Sequence, residues 1–314
     1  MCRTTILVAL ASLLACAGCG REEAATPGPG GDDGTPVIYT TFYPTTYFAE
    51  RIGGELVEVV CPCPEDEDPI MWMPDTGAIT AYQQADLIVI NGAGFEQWVD
   101  KVALPAGRLV NTARPFEADL LEYEDAVVHA HGPSGEHAHE GLDGHTWMDP
   151  IQARTQAEAI KDALVERYPQ WAERFEANYQ ALAGDLGALN ASLQELAEGY
   201  QQQPLLCSHP AYNYIARRYG WNIRNLDLDP ETVPSDETLL KIEKVLAEHR
   251  AQYLIWESFP APEVAAVMRN RFKLVNLELS PCELLSSAEQ AQGVDYLSVM
   301  RRNVGNIEPA LTGQ

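Results

Sequence analysis

From Trp171 onward the apolar residues Trp171, Phe175, Tyr179, Leu182, Leu186, Leu189, Leu193 and Leu196 recur in steps of four or three. That spacing lines side chains along one face of an α-helix. The pattern runs without a break from just after Pro169, a favoured first-turn residue, to near Gly199. About 30 residues rising 1.5 Å each give roughly 45 Å, enough to pass the whole height of a domain. A coiled-coil arm would need more than these four heptads. What lies on either side points instead to a spine joining two lobes.

Both flanks alternate short β-rich runs with helical segments. Before the long helix, Val37 to Thr41, Val57 to Val60 and Leu87 to Asn91 read as strands, with helices over Tyr47 to Ile52 and Ile79 to Gln84. After it, Leu205 to Cys207, Ile223 to Leu226, Tyr253 to Trp256 and Leu274 to Leu277 read as strands. Ser235, followed by Glu237 and Thr238, reads as the cap of a helix running to about His249. Such alternation implies βα units around mostly parallel sheets. The expected fold is α/β: an N-terminal βα lobe over 37–168, a linking helix over 169–200 and a C-terminal βα lobe over 201–314.

At the N-terminus, Arg3 precedes the apolar run Ile6 to Ala15 and then small residues ending at Cys19. The run is about half of the roughly 20 residues a membrane-spanning helix needs, so residues 1–18 read as a signal peptide. Leu14-Ala15-Cys16-Ala17-Gly18-Cys19 is similar to the lipobox of bacterial lipoproteins. Cys16 and Cys19 compete for lipidation. Cys19 is preferred because it leaves an even set downstream: Cys61, Cys63, Cys207 and Cys282. In an oxidising compartment those four point to disulfides rather than metal ligands, although a bridge within Cys61-Pro62-Cys63 would be strained. Residues 19–36, rich in Gly, Pro and acids, read as the lipidated cysteine and a flexible tether. The expected location is extracytoplasmic, periplasmic or cell-surface. A net charge of -25 argues against nucleic acid as a partner and is compatible with a cationic ligand.

Five of the seven histidines fall between His129 and His145. Imidazole is a favoured ligand for Zn²⁺, and the His-X-His pairs His129/His131 and His137/His139, in a mobile Gly- and Pro-bearing loop over 129–144, offer interchangeable accessory ligands. His145 differs because it directly precedes a helix running to about Tyr168, where rigid structure can hold a tight site. His209 follows a strand and precedes a helix, the place where open α/β sheets bind ligands. His249, between Glu248 and Arg250 on a charged helix, reads as a solvated surface residue.

Taken together these segments resemble the zinc- and manganese-specific solute-binding proteins of bacterial ABC importers. Ala85 to Gly92 with Phe95-Glu96 is similar to the family's "ADLVVxNG…LE" segment, and His145-Thr146-Trp147-Met148-Asp149-Pro150 to its "HxWLDP" motif. Ser208-His209 with Tyr214 to Trp221 is similar to the third-ligand segment, and Asp295-Tyr296, Met300 and Asn303 match the closing helix. The resemblance implies two βα lobes bridged by one long helix, a metal in the cleft, His145 and His209 as ligands, and Glu257 as a structural or near-site residue. It also implies a monomer delivering Zn²⁺, with Mn²⁺ also admitted, to a permease and its cytoplasmic ATPase. Two positions depart from the family. Its first ligand is a histidine where this chain has Ile70, which cannot ligate a metal; the segment Cys61 to Asp68 offers a carboxylate or a thiolate as a substitute, with Glu67 the carboxylate candidate. Its fourth ligand, an aspartate after the last strand, corresponds to Ser280 or Glu283, and the spacing to Tyr296 favours Glu283. A copper-type receptor and a metal-dependent hydrolase are the competing readings. Against the latter, the chain has no HExxH-like helix.

Overall fold

The computed structural model describes residues 34–123, 127–130, 136–139, 141–200 and 202–312, with only the backbone at 127–130 and 136–139. The signal peptide, Cys19, most of the tether and His131 lie outside the described residues. Among the described residues, no helix is long and apolar enough to cross a membrane.

The first lobe runs β1 (Val37–Thr40), α1 (Tyr43–Gly53), β2 (Glu58–Val60), α2 (Thr76–Gln84), β3 (Leu87–Ile90) and β4 (Leu109–Asn111), with strand order β2-β1-β3-β4 and every pair parallel. Both helices begin a few residues before the apolar pattern suggests. Pro44 sits in the first turn of α1, and the Asp75 side chain caps α2 by accepting from Ala78 N at 2.8 Å. A short antiparallel pair follows, β5 (Val127–Ala130) with β6 (Glu136–His139), placing His129 opposite His137. The histidine-rich segment expected as a loop thus contains two strands. Its alternating residues suit strand pairing, with Gly132-Pro133-Ser134-Gly135 between them in sequence.

Next come α3 (Pro150–Arg167) and the long α4 (Ala172–Gly199), entered through a 3-10 turn at Pro169–Trp171. The second lobe runs β7 (Pro204–Cys207), α5 (Asn213–Tyr219), β8 (Asn222–Asn225), α6 (Asp236–His249), β9 (Tyr253–Trp256), α7 (Pro262–Val267), β10 (Val275–Glu278), α8 (Ser287–Ala291) and α9 (Tyr296–Thr312). Its parallel sheet has the order β10-β9-β7-β8. Ser235 caps α6 as expected, its hydroxyl accepting from Thr238 N at 3.2 Å.

Strand alternation explains how α4 joins the lobes. Leu87 and Val89 of β3 face one core, while Ile88 and Ile90 face the outer side of the sheet with Tyr82 and Trp98. In the second lobe Leu205, Cys207 and Ile255 face that same shared core, and Leu206, Leu254 and Trp256 face outward. Between them lie Phe175, Tyr179, Leu182, Leu186, Leu189 and Leu193, the buried face of α4. One continuous core therefore spans both sheets. Tyr296 at the start of α9 adds to it, its ring centroid 5.1 Å from Phe48 of α1.

His249 corrects the sequence reading. It is 8% exposed, with Nε2 3.0 Å from the Leu205 carbonyl. Arg250 adopts a left-handed φ of 51° and ends the helix there, so His249 packs under the sheet instead of facing water. The four downstream cysteines are free thiols, not the disulfides expected. Cys207 is buried at the end of β7 and Cys282 in the shared core.

Candidate metal centre

His145 ends a turn fixed by the residues before it. Gly144 packs so tightly on Phe95 that an added Cβ would lie 2.8 Å from the Phe95 Cβ. The Gly144 carbonyl accepts from Asn91 Nδ2 at 2.8 Å, and Asn91 Oδ1 accepts from Thr146 Oγ1 at 3.1 Å and Gln156 Nε2 at 2.8 Å. Asn91 is itself anchored. The buried Glu96 carboxylate accepts from Asn91 N (2.6 Å), Gly92 N (3.1 Å) and Thr41 Oγ1 (2.5 Å). Burial pushes the Glu96 carboxyl up, and these donors oppose that shift. The Asn91-Gly92…Glu96 segment thus acts as a brace for the His145 turn. On its other side, Asp149 caps α3 through Ile151 N (2.9 Å) and pairs with Arg218 of α5.

The imidazole of His145, 1% exposed, lies between two carboxylates. Nδ1 is 2.8 Å from Asp143 Oδ1, and Nε2 is 3.1 Å from Glu283 Oε1. A neutral imidazole carries one N–H, so facing acceptors on both nitrogens favours the doubly protonated ring. Burial alone would lower the His145 pKa. The hydrogen bonds to Asp143 and Glu283 outweigh it and push the value up to about 10.

Asp143, fully buried, is a residue the sequence reading missed. Its Oδ1 also accepts from the His145 backbone N (2.9 Å) and Tyr123 Oη (3.1 Å), its Oδ2 from Asn213 Nδ2 (2.9 Å), and its carbonyl from Tyr214 Oη (2.7 Å). The one available signal was an acid two residues before a candidate ligand. A carboxylate behind a metal-binding imidazole fixes its tautomer and orientation. Because Asn213 and Tyr214 belong to α5, the same residue ties the two lobes together.

His209 follows β7 at its carboxyl end and is 3% exposed. Its ring lies edge-on to that of His145, centroids 5.4 Å apart, and its Nδ1 is 3.6 Å from Glu257 Oε2. Glu257 follows β9 and Glu283 follows β10, so these side chains all leave the carboxyl edge of one parallel sheet. One donor atom from each of His145, His209 and Glu283 lies within 4.8 Å of the others.

Ser280 lies outside this group. Its backbone is clasped by Asn303 of α9, which accepts from Ser280 N (3.0 Å) and donates to the Ser280 carbonyl (2.7 Å). Nor does the structure bring Glu67 to it, since Glu67 is exposed on the loop after β2. Ile70 is 7% exposed and packed in the shared core. Nothing is described of the side chains of His129, His137 and His139.

Two parallel-sheet lobes on one helical spine, with two imidazoles and a carboxylate converging between them, define a two-lobed α/β protein with a cluster of metal-type donor atoms in its cleft. The family profile described as zinc-uptake complex component A, periplasmic, matches residues 38–310, and the chain belongs to that family. It is 27% identical over 309 residues to the zinc-binding lipoprotein AdcA of Streptococcus pneumoniae, a match covering 97% of this chain and 60% of that protein. The chain thus spans about 60% of the length of that relative. It is also 27% identical to the high-affinity zinc uptake system protein ZnuA of Bacillus subtilis, covering 98% of this chain and 97% of that one. Among solved structures it is similar to the metal-dependent lipoprotein YcdH of Bacillus subtilis, with a TM-score of 0.76, 25% identity, and 88% and 99% of the two chains covered. The Zn(II)-bound ZnuA-like domain of Streptococcus pneumoniae AdcA matches with the same score and identity, covering 89% and 100%.

Proposed function

We propose that the protein is an extracytoplasmic solute-binding protein that captures Zn²⁺ between its lobes and delivers it to the permease of an ABC importer. The observation that carries this is the convergence of His145, His209 and Glu283 within 4.8 Å. Two imidazoles and one carboxylate match the donors Zn²⁺ takes at 2.0–2.2 Å; a site for Mn²⁺ would be richer in oxygen. In this reading His145 comes from the first lobe (37–168) and His209 and Glu283 from the second (201–314), with 169–200 linking them. Zn²⁺ takes the place of the proton on His145 Nε2 while Asp143 keeps Nδ1, and Glu257 orients His209. Cys19 carries the lipid anchor, and the chain acts as a monomer. The histidines at 129, 131, 137 and 139 gather further ions with weaker hold.

Competitive titration with metal analysis of the protein beside His145→Ala, His209→Ala and Glu283→Ala tests the assignment. The expected result is one tight Zn²⁺ per chain and a severe loss in each variant. Unweakened binding in both histidine variants would remove the cleft as the site, and Zn-dependent hydrolase activity would favour the enzymatic reading instead.

A further inference from the structure

Glu283 reaches the cleft from a loop, so the main chain that carries it must be fixed by other means than a helix or a sheet. β10 ends at Glu278. Beyond it the Leu279 carbonyl accepts from Tyr212 Oη (2.8 Å), Asn303 of α9 clasps Ser280, the Pro281 carbonyl accepts from Trp147 Nε1 (2.7 Å), and the Glu283 carbonyl accepts from the Tyr43 backbone N (3.3 Å). Trp147 and Tyr43 belong to the first lobe. The carboxylate of the second lobe is thus set against the first lobe by its own main chain.

Within this loop Cys282 has a demanding conformation. Its φ of 59° lies in the left-handed region, where Cβ crowds the following carbonyl oxygen and which, after a proline, turns ordinarily leave to Gly or Asn. Arg250 and Lys273 also have positive φ, but each ends a helical segment, where one such residue is common. Cys282 ends no helix. Glycine would relieve the crowding but would forfeit packing, because the Cys282 side chain is 2% exposed and belongs to the shared core. Ser280 supplies the compensation. Its Oγ accepts from the Cys282 N–H at 3.2 Å, closing a small ring across Pro281, whose own φ the pyrrolidine fixes near about -65°.

We propose that Ser280 is a positioning residue for the metal site: its hydroxyl holds the left-handed turn at Cys282 that aims Glu283 Oε1 at His145 Nε2, 3.1 Å away. The inference rests on the cleft reading above, with Glu283 as a donor to Zn²⁺. A turn at Cys282 back to negative φ re-aims the next residue, and a carboxylate displaced by about 1 Å no longer meets a bond of roughly 2.0–2.2 Å. Ser280 acts on the ion only through Glu283.

Competitive Zn²⁺ titration of the full chain beside Ser280→Ala, Glu283→Ala and the double variant forms the test. The expected result is binding about 10-fold weaker in Ser280→Ala, with a cooperative unfolding transition retained without metal, and recovery in Ser280→Thr, which keeps the hydroxyl. Adding Ser280→Ala to Glu283→Ala should weaken binding no further, since both remove the same donor. Adding it to Cys282→Gly should also leave affinity unchanged, because glycine holds a positive φ unaided; this pair carries the comparison if Ser280→Ala does not fold alone, and a loss there would overturn the proposal. Equal fold-losses from Ser280→Ala with Glu283 present or absent would overturn it too, as would undiminished affinity in Ser280→Ala beside a weakened Glu283→Ala. Undiminished affinity in Glu283→Ala would instead overturn the cleft reading on which the proposal stands.

Discussion

Raising the pH from 7 to 9 should tighten Zn²⁺ binding about 100-fold, because the ion must evict a proton from His145. The metal-free ring lies between Asp143 Oδ1 at 2.8 Å and Glu283 Oε1 at 3.1 Å, and its pKa is pushed up to about 10. At pH 7 roughly one ring in a thousand is then neutral, a proton penalty of about 4 kcal/mol at 1.36 kcal/mol per unit. The penalty shrinks by one factor of ten per pH unit until the pKa is reached. The raised pKa also bears on stability. It stabilises the metal-free fold fully below about 6.5, and that contribution is lost as pH rises through about 10. Thermal stabilisation by Zn²⁺ should therefore widen with pH. Calorimetric titration in two buffers of different ionisation enthalpy counts the protons, and competition with a chromophoric chelator gives the slope. At least one proton should be released per Zn²⁺ between pH 7 and 9. A proton count near zero, with an affinity flat across that range, would refute the reasoning.

Asp143→Asn keeps the shape but not the charge behind His145 Nδ1. At a pH near 10 it should weaken Zn²⁺ by roughly 10–100-fold, and competition titrations should show a smaller loss at pH 7, where easier deprotonation of His145 compensates. Ile70→Ala empties a core position that is 7% exposed; denaturant unfolding should show a loss of about 2–5 kcal/mol with Zn²⁺ stoichiometry unchanged. Deleting residues 129–141 should remove the weaker Zn²⁺ equivalents seen by metal analysis and spare the tight one.

Periodicity made the frame legible. The steps of three and four from Trp171 to Leu196 mark the face of α4 that the core buries, because a long helix between two sheets must be apolar along one side. Continuous apolar runs such as Leu87 to Ile90 mark strands covered on both faces. His145 and His209 were readable because one directly precedes a helix and the other follows a strand, and Glu283 through the family resemblance and its spacing to Tyr296. Asp143 was not, since its value lies in facing Nδ1 and Asn213 at once, a juxtaposition made by α5 from the other lobe. His249 misled for the opposite reason. Its neighbours Glu248 and Arg250 are charged, but a helix turns each successive side chain by about 100°, which carries His249 under β7.

Ile70 sharpens what the metal does. With an apolar residue in the core where the resembling family places a ligand, the first lobe contributes His145 to the converging group and the second contributes His209 and Glu283. The contact from His145 Nε2 to Glu283 Oε1 already crosses the cleft at 3.1 Å, and the raised His145 pKa favours a proton on it. Further contacts cross between the same lobes: Asn213 and Tyr214 to Asp143, Arg218 to Asp149, and Trp147 Nε1 to the Pro281 carbonyl at 2.7 Å. None of these needs a metal. In the proposed reading, loading exchanges one cation for another in a cleft already drawn together, instead of pulling two separate lobes into contact. Small-angle scattering at pH 7 should give the same radius of gyration for metal-free and Zn²⁺-loaded protein. A contraction on loading would show that the metal, and not the protonated His145–Glu283 pair, closes the lobes.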